Sequence, residues 1–549
     1  MEKFYEVTVG NKKATFKEGT TYKEIADYFQ KDYKDEIIAI KVNNDFIDLG
    51  KIIERDCDVS FFTIADEYGN NVYSRSARFI LILAVKKAFG KKADVLIHHS
   101  LNQGIYFTIE GVKLNSKSLD LLKEEYKKIV DSDLLFTHLT VSRLEAMNYF
   151  HKKKMYDKEA LLKYISNTYI TLYRIDDLYD YFYGRMVYST KQIKYYKLNS
   201  INDVFILALP KRSNPTKVTE VKTDVKMNQR YQEAIAFEKS INVTKVSDLN
   251  LKISKAEIKD IVLMSEAYFD NQLIKVADDI ISKKKKIVLL AGPSSSGKTT
   301  SAKKLSIYLK SRGYNTISLS VDDYFTDLKV RVKDANGNPD FESVKAVDIK
   351  LFNTHLTKLL DGEEVIVPTF DFIKGKRYFD KSAVKLEKND IIVIEGLHAI
   401  NEKLTSSIDK KYKYKIFISP LESLNIDNHN HIHSTDVRKL RRITRDSRTR
   451  GFSASKTLQH WDNVHQGELI NVFPYECDAD AILDSCLLYE IGVLKTYVEP
   501  LLYSVESNDS EYPEALRLIN LLKNFLPIPV DDIPNDSVLR EFIGGSCFK

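Results

Sequence analysis

The second half of the chain alternates short apolar runs with longer amphipathic stretches. The apolar runs cover residues 287–291, 316–321, 391–394, 415–419 and 480–483. Short runs of this kind, separated by helical patterns, are typical of buried parallel strands joined by helices. We therefore predict an α/β fold with a doubly wound parallel sheet from about residue 284, whose ligands gather at the carboxyl ends of the strands.

The first 64 residues show a shorter, mixed pattern. Alternation over residues 4–9 and 13–16 predicts a hairpin, and residues 20–24 resemble a helix start. Further strand-like runs at 39–42, 45–49 and 59–63 complete a small predicted sheet. This pattern predicts a small α+β unit.

A helical linker is predicted over residues 240–282. Ile258, Val262, Phe269 and Leu273 recur at helical spacing among charged residues. The lysine run at 283–286 directly precedes the first strand of the predicted parallel sheet. We interpret this run as the solvated end of the linker, with an RNA-contacting patch as the alternative.

Composition narrows the class of protein. The chain has 549 residues, of which 43% are hydrophobic and 29% charged, with a net charge of +6, so we expect a folded protein of about three domains. The mild charge does not by itself indicate nucleic acid. Four cysteines, without a CxxC pair, favour a reducing compartment and argue against a structural zinc site. Because no signal-peptide core or long apolar stretch is present, we expect a cytoplasmic protein without a membrane partner.

The segment after the first apolar run carries the strongest chemical signal. Gly292 and Gly297 frame a loop that Lys298 and Thr299 close, which is the phosphate-binding pattern G-x-x-x-x-G-K-T. Backbone N–H groups and the following helix N-terminus favour phosphate there. Lys298 would reach the β- and γ-phosphates, and Thr299 would ligate Mg²⁺. The predicted ATP-binding residues of this segment are Gly292, Pro293, Ser294, Ser295, Ser296, Gly297, Lys298, Thr299 and Thr300.

Two acids stand at the carboxyl ends of other predicted strands. Asp322 follows the second strand, where a carboxylate could accept the proton of an attacking hydroxyl. A helix N-cap is the alternative role for Asp322, and Asp323 could fill it instead. Glu395 ends a buried apolar run and could hold Mg²⁺. The predicted metal ligands are therefore Thr299, Asp322 and Glu395.

A basic helix is predicted from Arg438 onward. Arg438, Arg441, Arg445 and Arg448 recur at three- and four-residue spacing, and Arg442 borders the face that they share. So many guanidinium groups repel one another unless an anion neutralises them, and a triphosphate would do so. A solvated basic helix is the alternative. Gly451 and Ser453 could act as a hinge, which would make this helix a closing lid.

The N-terminal segments resemble threonyl-tRNA synthetases. Gly19-Thr20-Thr21, residues 38–43 and Asp48-Leu49 are similar to the ubiquitin-like TGS domain. Residues 76–81, 104–107, 145–146 and 189–194 are similar to the second, editing domain of those enzymes. The resemblance implies an α+β scaffold that in the family edits mischarged tRNA through an HxxxH and a CxxxH pair.

The editing ligands are absent from this chain. By alignment, Arg75 and Phe79 stand at the first pair, and Phe182 and Met186 at the second. Guanidinium, phenyl and thioether groups do not replace imidazole and thiolate as metal ligands. His98 and His99 lie nearby, but we expect them to be polar residues at a strand end. The resemblance therefore implies an inherited scaffold without editing chemistry.

The C-terminal motifs together resemble the uridine kinases, in a wider group with phosphoribulokinase. The motifs occur in the order and spacing of that family. They are residues 292–300, Ser320-Val321-Asp322, Pro339-Asp340-Phe341-Glu342, residues 368–372, Ile394-Glu395-Gly396 and residues 441–451. The resemblance implies an ATP- and Mg²⁺-dependent transfer of phosphate to the 5′-hydroxyl of a nucleoside.

The resemblance also assigns individual roles. Asp322 would be the base, with Lys298, Arg442 and Arg445 as further catalytic residues, and Arg441 and Arg450 would bind ATP. Glu342 would contact the ribose hydroxyls. The nucleoside-binding residues implied are Phe341, Glu342, Phe370, Phe372 and Arg442.

Two departures from the family concern the base. Phe370 stands where the family usually has a tyrosine, and Gly375 where it usually has a histidine that reads the base edge. A site without those hydrogen bonds discriminates less or differently. Uridine or cytidine is therefore the family default. The histidines of Asn428–His433 could bind metal, but we predict a flexible polar loop there.

These observations predict a nucleoside kinase with five segments: a TGS-like domain (1–65), an editing-like domain (66–235), a helical linker (236–283), a P-loop kinase domain (284–505) and a C-terminal extension (506–549). A kinase of another small alcohol, and an RNA-binding regulator that uses ATP as a switch, are the alternatives. RNA binding through residues 1–235 and homo-oligomerisation stay open at this point.

Overall fold

The computed structural model describes residues 2–101, 103–201, 204–221, 225–328, 343–371, 374–380 and 382–548. Its first region is a small mixed sheet that carries one helix. The helix begins with a capping box, in which the Thr21 side chain accepts from the Glu24 N–H and the Glu24 carboxylate accepts from the Thr21 N–H. The elements are β1 (Phe4–Val9), β2 (Lys12–Lys17), α1 (Tyr22–Phe29), β3 (Ile37–Val42), β4 (Asp45–Ile47) and β5 (Cys57–Thr63). The strand order is β2-β1-β5-β3-β4.

The second region is built around one long helix whose residues from Phe79 to Val85 are all buried, as expected for a helix that is apolar on every side. Its elements are α2 (Glu67–Phe89), β6 (Val95–Leu101), β7 (Gly104–Ile109), α3 (Ser116–Asp131), β8 (Thr137–Ser142), α4 (Arg143–Lys152), α5 (Tyr156–Leu162), β9 (Tyr169–Ile175), β10 (Leu178–Tyr181), β11 (Lys197–Ile201) and β12 (Val204–Ala208). Two antiparallel sheets, ordered β11-β12-β7-β6 and β10-β9-β8, share a core cluster with the helix.

Three helices lead into the third region: α6 (Val225–Ser240), α7 (Val246–Ser254) and α8 (Ile258–Ser282). The apolar positions predicted for α8 face one core, because Ile258, Val262, Phe269 and Leu273 are all buried. Lys283 and Lys284, which follow, are exposed. Among the described residues, no helix is both long enough and apolar enough to span a membrane.

The third region is built on a five-stranded sheet whose pairings are all parallel, and it also contains two short antiparallel strand pairs. Its elements are β13 (Ile287–Ala291), α9 (Lys298–Lys310), β14 (Thr316–Ser320), α10 (Ile349–Leu360), β15 (Val365–Ile366), β16 (Thr369–Asp371), β17 (Lys376–Tyr378), β18 (Ala383–Val384), β19 (Ile391–Glu395), β20 (Lys413–Ser419), α11 (Ser434–Thr449), α12 (Ala454–Gln459), α13 (Trp461–Asn471), β21 (Ala481–Asp484) and α14 (Glu490–Tyr503). The order β14-β19-β13-β20-β21 puts the strand that precedes the glycine loop in the centre. The predicted fold class is confirmed.

The C-terminal residues pack back onto this region. They contain α15 (Tyr512–Leu522) and the short α16 (Arg540–Ile543). Val538, Leu539, Phe542 and Ile543 belong to the same core cluster as the parallel sheet and α11. The predicted extension is therefore part of the packed unit, and the segment boundaries given above stay a proposal.

The loop between β20 and α11 joins the two halves of the molecule. Asn428 O accepts from Ile97 N at 3.0 Å, and Lys158 of α5 donates to Asp427 at 2.8 Å. His429 contacts Asp180 through Nδ1 at 2.6 Å and is fully buried. The prediction of a flexible polar loop at Asn428–His433 is wrong, because these side chains satisfy buried partners in the editing-like region.

Candidate active site

The glycine loop joins the central strand β13 to α9 and depends on two glycines. A Cβ atom at Gly292 would lie 2.0 Å from the carbonyl oxygen of Ile418. Gly297 has φ of +84°, and a Cβ atom there would lie 2.3 Å from Cγ2 of Val538. Ser295 also has a positive φ, of 60°. Sterics therefore leave only glycine at the two framing positions.

Two hydroxyls of the loop are buried without a hydrogen-bond partner. Ser295 Oγ and Ser296 Oγ contact no donor or acceptor in the described part of the chain, and their side chains are 3% and 0% exposed. Buried polar groups in this condition cost free energy unless a ligand satisfies them. Phosphate oxygens are suitable acceptors, so the loop fits the nucleotide that its sequence pattern implies.

Lys298 is held inside the loop. Its Nζ donates to the carbonyl oxygens of Gly292 at 3.1 Å and Pro293 at 3.0 Å. Burial lowers the pKa of Lys298, and the nearby carboxylates of Glu395, Glu541 and Asp322 oppose that shift. The ammonium group thus stands between the loop and the two predicted acids. Thr299, the predicted magnesium ligand, is exposed next to it.

Asp322 and Glu395 lie close enough to repel each other. Burial and then the Asp322 charge raise the pKa of Glu395 to about 7. Ser320 Oγ donates to Glu395 Oε1 at 3.1 Å, because Ser320 and Glu395 are direct partners in adjacent parallel strands. A divalent cation would relieve the repulsion, so these oxygens and the Thr299 hydroxyl fit Mg²⁺.

The arginine helix is neutralised within the protein. Arg438 pairs with Glu468 of α13. Arg441 is fully buried and donates to Glu490 at 2.7 and 3.0 Å. Our premise that only a bound anion could offset these charges is therefore wrong. Because Val437, Leu440 and Ile443 also belong to the core, α11 is packed in place in this structure and is not a detached lid.

Three further arginines surround one carboxylate. Asp446, which is fully buried, accepts from Arg445 at 2.8 and 2.9 Å and lies 3.3 Å from Arg442 and 3.6 Å from Arg450. Arg442 also donates to Ser294 Oγ at 2.6 Å. Of the arginines predicted to be catalytic, Arg442 is thus the one that reaches the glycine loop.

The acceptor side of the site is described in part. Phe341, Glu342 and Phe372 lie outside the described residues. Phe370 is buried against Phe325, with ring centroids 5.8 Å apart, and its N–H donates to Asp323 at 3.1 Å. Asp323 therefore anchors β16 next to Asp322 in the chain, and the aromatic wall stays a prediction.

Gly375 occupies a corner that has no room for a side chain. Its φ is +65°, and a Cβ atom there would lie 2.1 Å from Cδ1 of Leu328. The Leu328 N–H donates to Gly375 O at 3.0 Å. The departure from the family at this position is thus structural, since an apolar side chain fills the space beside the glycine.

The N-terminal positions that would hold editing ligands are packed together. Arg75, Phe79, Phe182 and Met186 are all buried. The Phe79 and Phe182 ring centroids are 5.1 Å apart, and Arg75 donates to Arg185 O at 2.6 Å. These side chains form a core at the place where the resemblance puts a metal.

His98 and His99 lie in different environments. His98 Nε2 contacts Thr108 Oγ1 at 2.9 Å. His99 is stacked between Tyr106 and Tyr231, with centroids at 4.6 and 3.9 Å, and is 2% exposed. The prediction of polar strand-end residues is therefore wrong for His99, which is a core residue.

Sequence reasoning missed three acids of the loop environment. Glu468 Oε1 accepts from Ser294 N at 2.7 Å, Glu490 pairs with Arg441, and Glu541 accepts from Thr300. Each acid lies far along the chain from its partner, on a helix without a recognised motif. A local signal existed for Glu490, because it is the first residue of its helix, where an acid is favourable.

The geometry of the third region agrees with a family of known proteins. Residues 287–488 match the model of the Phosphoribulokinase / Uridine kinase family. The matched segment begins at β13 and includes the loop, both strand-end acids and the arginine helix. This region is therefore a P-loop kinase domain, which is a phosphotransferase fold.

The N-terminal third is similar to threonine–tRNA ligases. The ligase of Desulforamulus reducens is 31% identical over 185 residues, which are 33% of this chain and 29% of that protein. The ligase of Acetivibrio thermocellus is 28% identical over 188 residues, 34% of this chain and 29% of that protein. The chain thus spans about 29% of the length of these relatives.

Solved kinase structures also resemble the chain. A "possible uridine kinase" from Bacillus stearothermophilus is 17% identical, with a TM-score of 0.27, and the match covers 39% of this chain and 98% of that one. D-glycerate 3-kinase from Cryptococcus neoformans is 15% identical, with a TM-score of 0.27, covering 37% of this chain and 89% of that one.

Proposed function

We propose that this protein is an ATP- and Mg²⁺-dependent kinase that phosphorylates the 5′-hydroxyl of a nucleoside. The observation that carries the proposal is the grouping of Lys298, Asp322 and Glu395 at the carboxyl edge of the sheet, where the charge of each acts on the others. An ammonium, a base and a cation-binding carboxylate are the groups that phosphoryl transfer to an alcohol needs.

Each residue has a distinct task in this reaction. Lys298 exchanges its contacts with the Gly292 and Pro293 carbonyls for phosphate oxygens and neutralises their charge. Asp322 orients the acceptor hydroxyl and takes its proton. Arg442, which already contacts the loop at Ser294, stabilises charge on the transferred group. Mg²⁺ bound by Thr299 and Glu395 would neutralise charge on the phosphates.

Asp322→Asn tests the assignment of the base. The amide keeps the shape but cannot accept the proton, so we expect transfer to fall by at least about a hundredfold while nucleotide affinity is kept. ADP release with uridine and cytidine measures the first quantity, and calorimetry with MgADP measures the second. Asp323→Asn is the matched control, because the Asp323 carboxylate accepts from the Phe370 N–H and has no assigned role toward the acceptor hydroxyl. Full turnover by Asp322→Asn would remove Asp322 from the mechanism.

A kinase of another small alcohol is the second candidate. Leu328 fills the corner beside Gly375, where a base-reading side chain would stand, and the matched family is named for a sugar-phosphate kinase as well as a nucleoside kinase. A screen by ADP release against nucleosides, sugar phosphates and small polyols decides between the two. Turnover confined to a non-nucleoside alcohol would replace the nucleoside as acceptor.

A further inference from the structure

A carboxylate of the C-terminal segment sits on the first turn of α9. Glu541 Oε2 accepts from Thr300 N at 3.1 Å and from Thr300 Oγ1 at 2.9 Å. Thr300 is the third residue of the helix that follows the glycine loop. The first N–H groups of a helix have no partner within it, and in a phosphate loop they are the donors that cradle the α- and β-phosphates. Glu541 thus holds an anion at a phosphate donor.

The contact is fixed by the packing of the whole segment. Val538 Cγ2 lies against Gly297 of the loop. Asp536 accepts from Lys304 at 2.9 Å. Arg448 of α11 donates to Phe542 O at 2.8 Å. The carboxylate is therefore held on the loop from both sides and does not reach it as a mobile surface side chain.

The next residue covers a predicted nucleotide-binding group. The Arg441 guanidinium lies 5.0 Å from the centroid of the Phe542 ring. Guanidinium planes stack on aromatic rings, including nucleobases. Two adjacent residues of the segment, an anion and an aromatic ring, therefore occupy groups that the sequence predicts to bind ATP.

The charge of Glu541 also reaches the reaction centre. Burial lowers the pKa of Lys298, and the Glu541 charge, after that of Glu395, opposes this shift. Burial and the Asp322 charge raise the pKa of Glu395, and Glu541 adds to that rise. The Glu541 carboxylate therefore lies near the charged groups that would surround a bound phosphate. Two anions do not share such a place without strong repulsion.

We propose that the C-terminal segment at residues 536–543 is an intrasteric competitor of the phosphate donor. The Glu541 carboxylate takes the Thr300 donors that a nucleotide phosphate needs, and nucleotide binding requires Glu541 to leave them. This inference rests on the proposed function, since it takes a nucleotide as the donor. Displacement of the segment also frees the covered face of Arg441.

A helix cap is the competing explanation for Glu541. A carboxylate on the first turn stabilises a helix through its N–H groups and dipole. A cap alone predicts that its loss lowers the melting temperature and leaves nucleotide affinity unchanged or weaker. A competitor predicts that its loss raises nucleotide affinity.

Glu541→Gln in the full chain separates the two explanations. We expect MgADP to bind about tenfold more tightly than to the wild type, because the charged acceptor is gone. Calorimetry measures the affinity, and thermal unfolding of the same sample shows that the variant is folded. Glu506→Gln, a change at an exposed acid of the same C-terminal part, is the control and should bind as the wild type does.

The remaining outcomes each decide the question. Equal or weaker binding by Glu541→Gln overturns the competitor and leaves the proposed function standing, provided that Lys298→Ala loses binding. Absence of MgADP binding to wild type and Glu541→Gln alike overturns both proposals.

Hydrogen exchange provides a test in the unaltered protein. Amides of residues 536–543 should exchange faster when MgADP is added, whereas amides of α9 should exchange more slowly. Unchanged or slower exchange at 536–543 would show that the segment stays in place beside the nucleotide and would overturn the inference.

Discussion

Each half of the chain contains a place where the sequence resembles a known functional site, and the two places differ in how their side chains are packed. In the editing-like region, Arg75, Phe79, Phe182 and Met186 are buried, and the Phe79 and Phe182 rings lie 5.1 Å apart. In the kinase domain, Ser295 and Ser296 keep buried hydroxyls that have no partner among the described residues, and burial and the Asp322 charge raise the pKa of Glu395 to about 7. The first place is packed as core around a buried guanidinium, and the second keeps polar groups that a ligand would satisfy.

The contrast gives a physical criterion for a working site. Apolar packing stabilises the fold by itself, so a lost site acquires large side chains that fill its volume. A retained site carries unsatisfied polar atoms and like charges in proximity, which the rest of the fold must offset. Substitution should therefore mainly lower stability in the editing-like core and mainly lower activity at the glycine loop.

Loss of the loop ammonium should have the largest effect on activity and little effect on folding. Lys298→Ala removes the charge that faces the phosphates, and we expect transfer to fall by about a thousandfold. Steady-state ADP release and the melting temperature measure the two effects. Lys310→Ala, at the exposed end of the same helix, is the control. Near-normal turnover by Lys298→Ala would remove the loop from the reaction.

In the editing-like region, a substitution should instead lower stability and leave activity unchanged. Phe79→Ala leaves a cavity beside Phe182, and we expect the free energy of unfolding to fall by about 4 kcal/mol, with turnover per folded molecule unchanged. Denaturant titration and ADP release measure these quantities. Leu144→Ala changes an exposed side chain of the same region and should cost less than about 0.5 kcal/mol. A change in turnover with stability intact would mean that this core still serves the reaction.

The titration of Glu395 should make the free energy of unfolding depend on pH. Its pKa is about 7 in the folded protein, against an ordinary value of 4.5 for the unfolded chain, so the folded form binds the extra proton between these values. Stability from this group is present below pH 4.5 and is lost as the pH rises through about 7.

Glu395→Gln removes that dependence. Without Mg²⁺, we expect the variant to exceed the wild type in free energy of unfolding by roughly 2 kcal/mol at alkaline pH, and to match it in acid. Denaturant titration across the pH range checks this. Glu387→Gln, at an exposed acid near the same strand, should show no such trend. An equal difference at every pH would contradict the assigned repulsion.

The smallest effect is expected at the orphaned hydroxyls. Ser296→Ala removes a buried hydroxyl that has no partner in the described part of the chain, so stability should rise by up to about 1 kcal/mol while MgADP affinity falls. Ser301→Ala is the matched control, because its hydroxyl donates to Gly297 O at 2.7 Å and its loss should destabilise by about 1 kcal/mol. Thermal unfolding and calorimetry compare the two. Destabilisation by Ser296→Ala would mean that its hydroxyl is already satisfied.

Much of the fold followed from local patterns. The buried runs at β13, β19 and β21 were readable because parallel strands covered on both faces are apolar throughout. The Thr21–Glu24 capping box and the helical spacing of α8 were also visible, since both depend on residues a few positions apart. The loop glycines were recognisable because backbone geometry restricts those positions to one residue type.

The partners of the charged residues were not predictable. Arg438 and Arg441 were assigned to a ligand because repulsion along one helix is visible in sequence, whereas Glu468 and Glu490 are brought to them by separate helices. The buried state of His429 likewise depends on contacts between the two halves of the chain, and that of His99 on stacking against Tyr231, which is distant in sequence. Asp446 was within the arginine segment, but its role required knowledge of which side chains turn toward it.

The sequence by itself determined the parallel sheet, the phosphate loop, the strand-end acids and the absence of editing ligands, because each depends on residue type and on spacing along one element. Only the tertiary structure decided that the arginine helix is neutralised from within, that the histidine loop is buried, and that Glu541 rests on Thr300, 241 positions away. Such contacts depend on how elements pack, and packing brings together residues whose separation along the chain carries no signal.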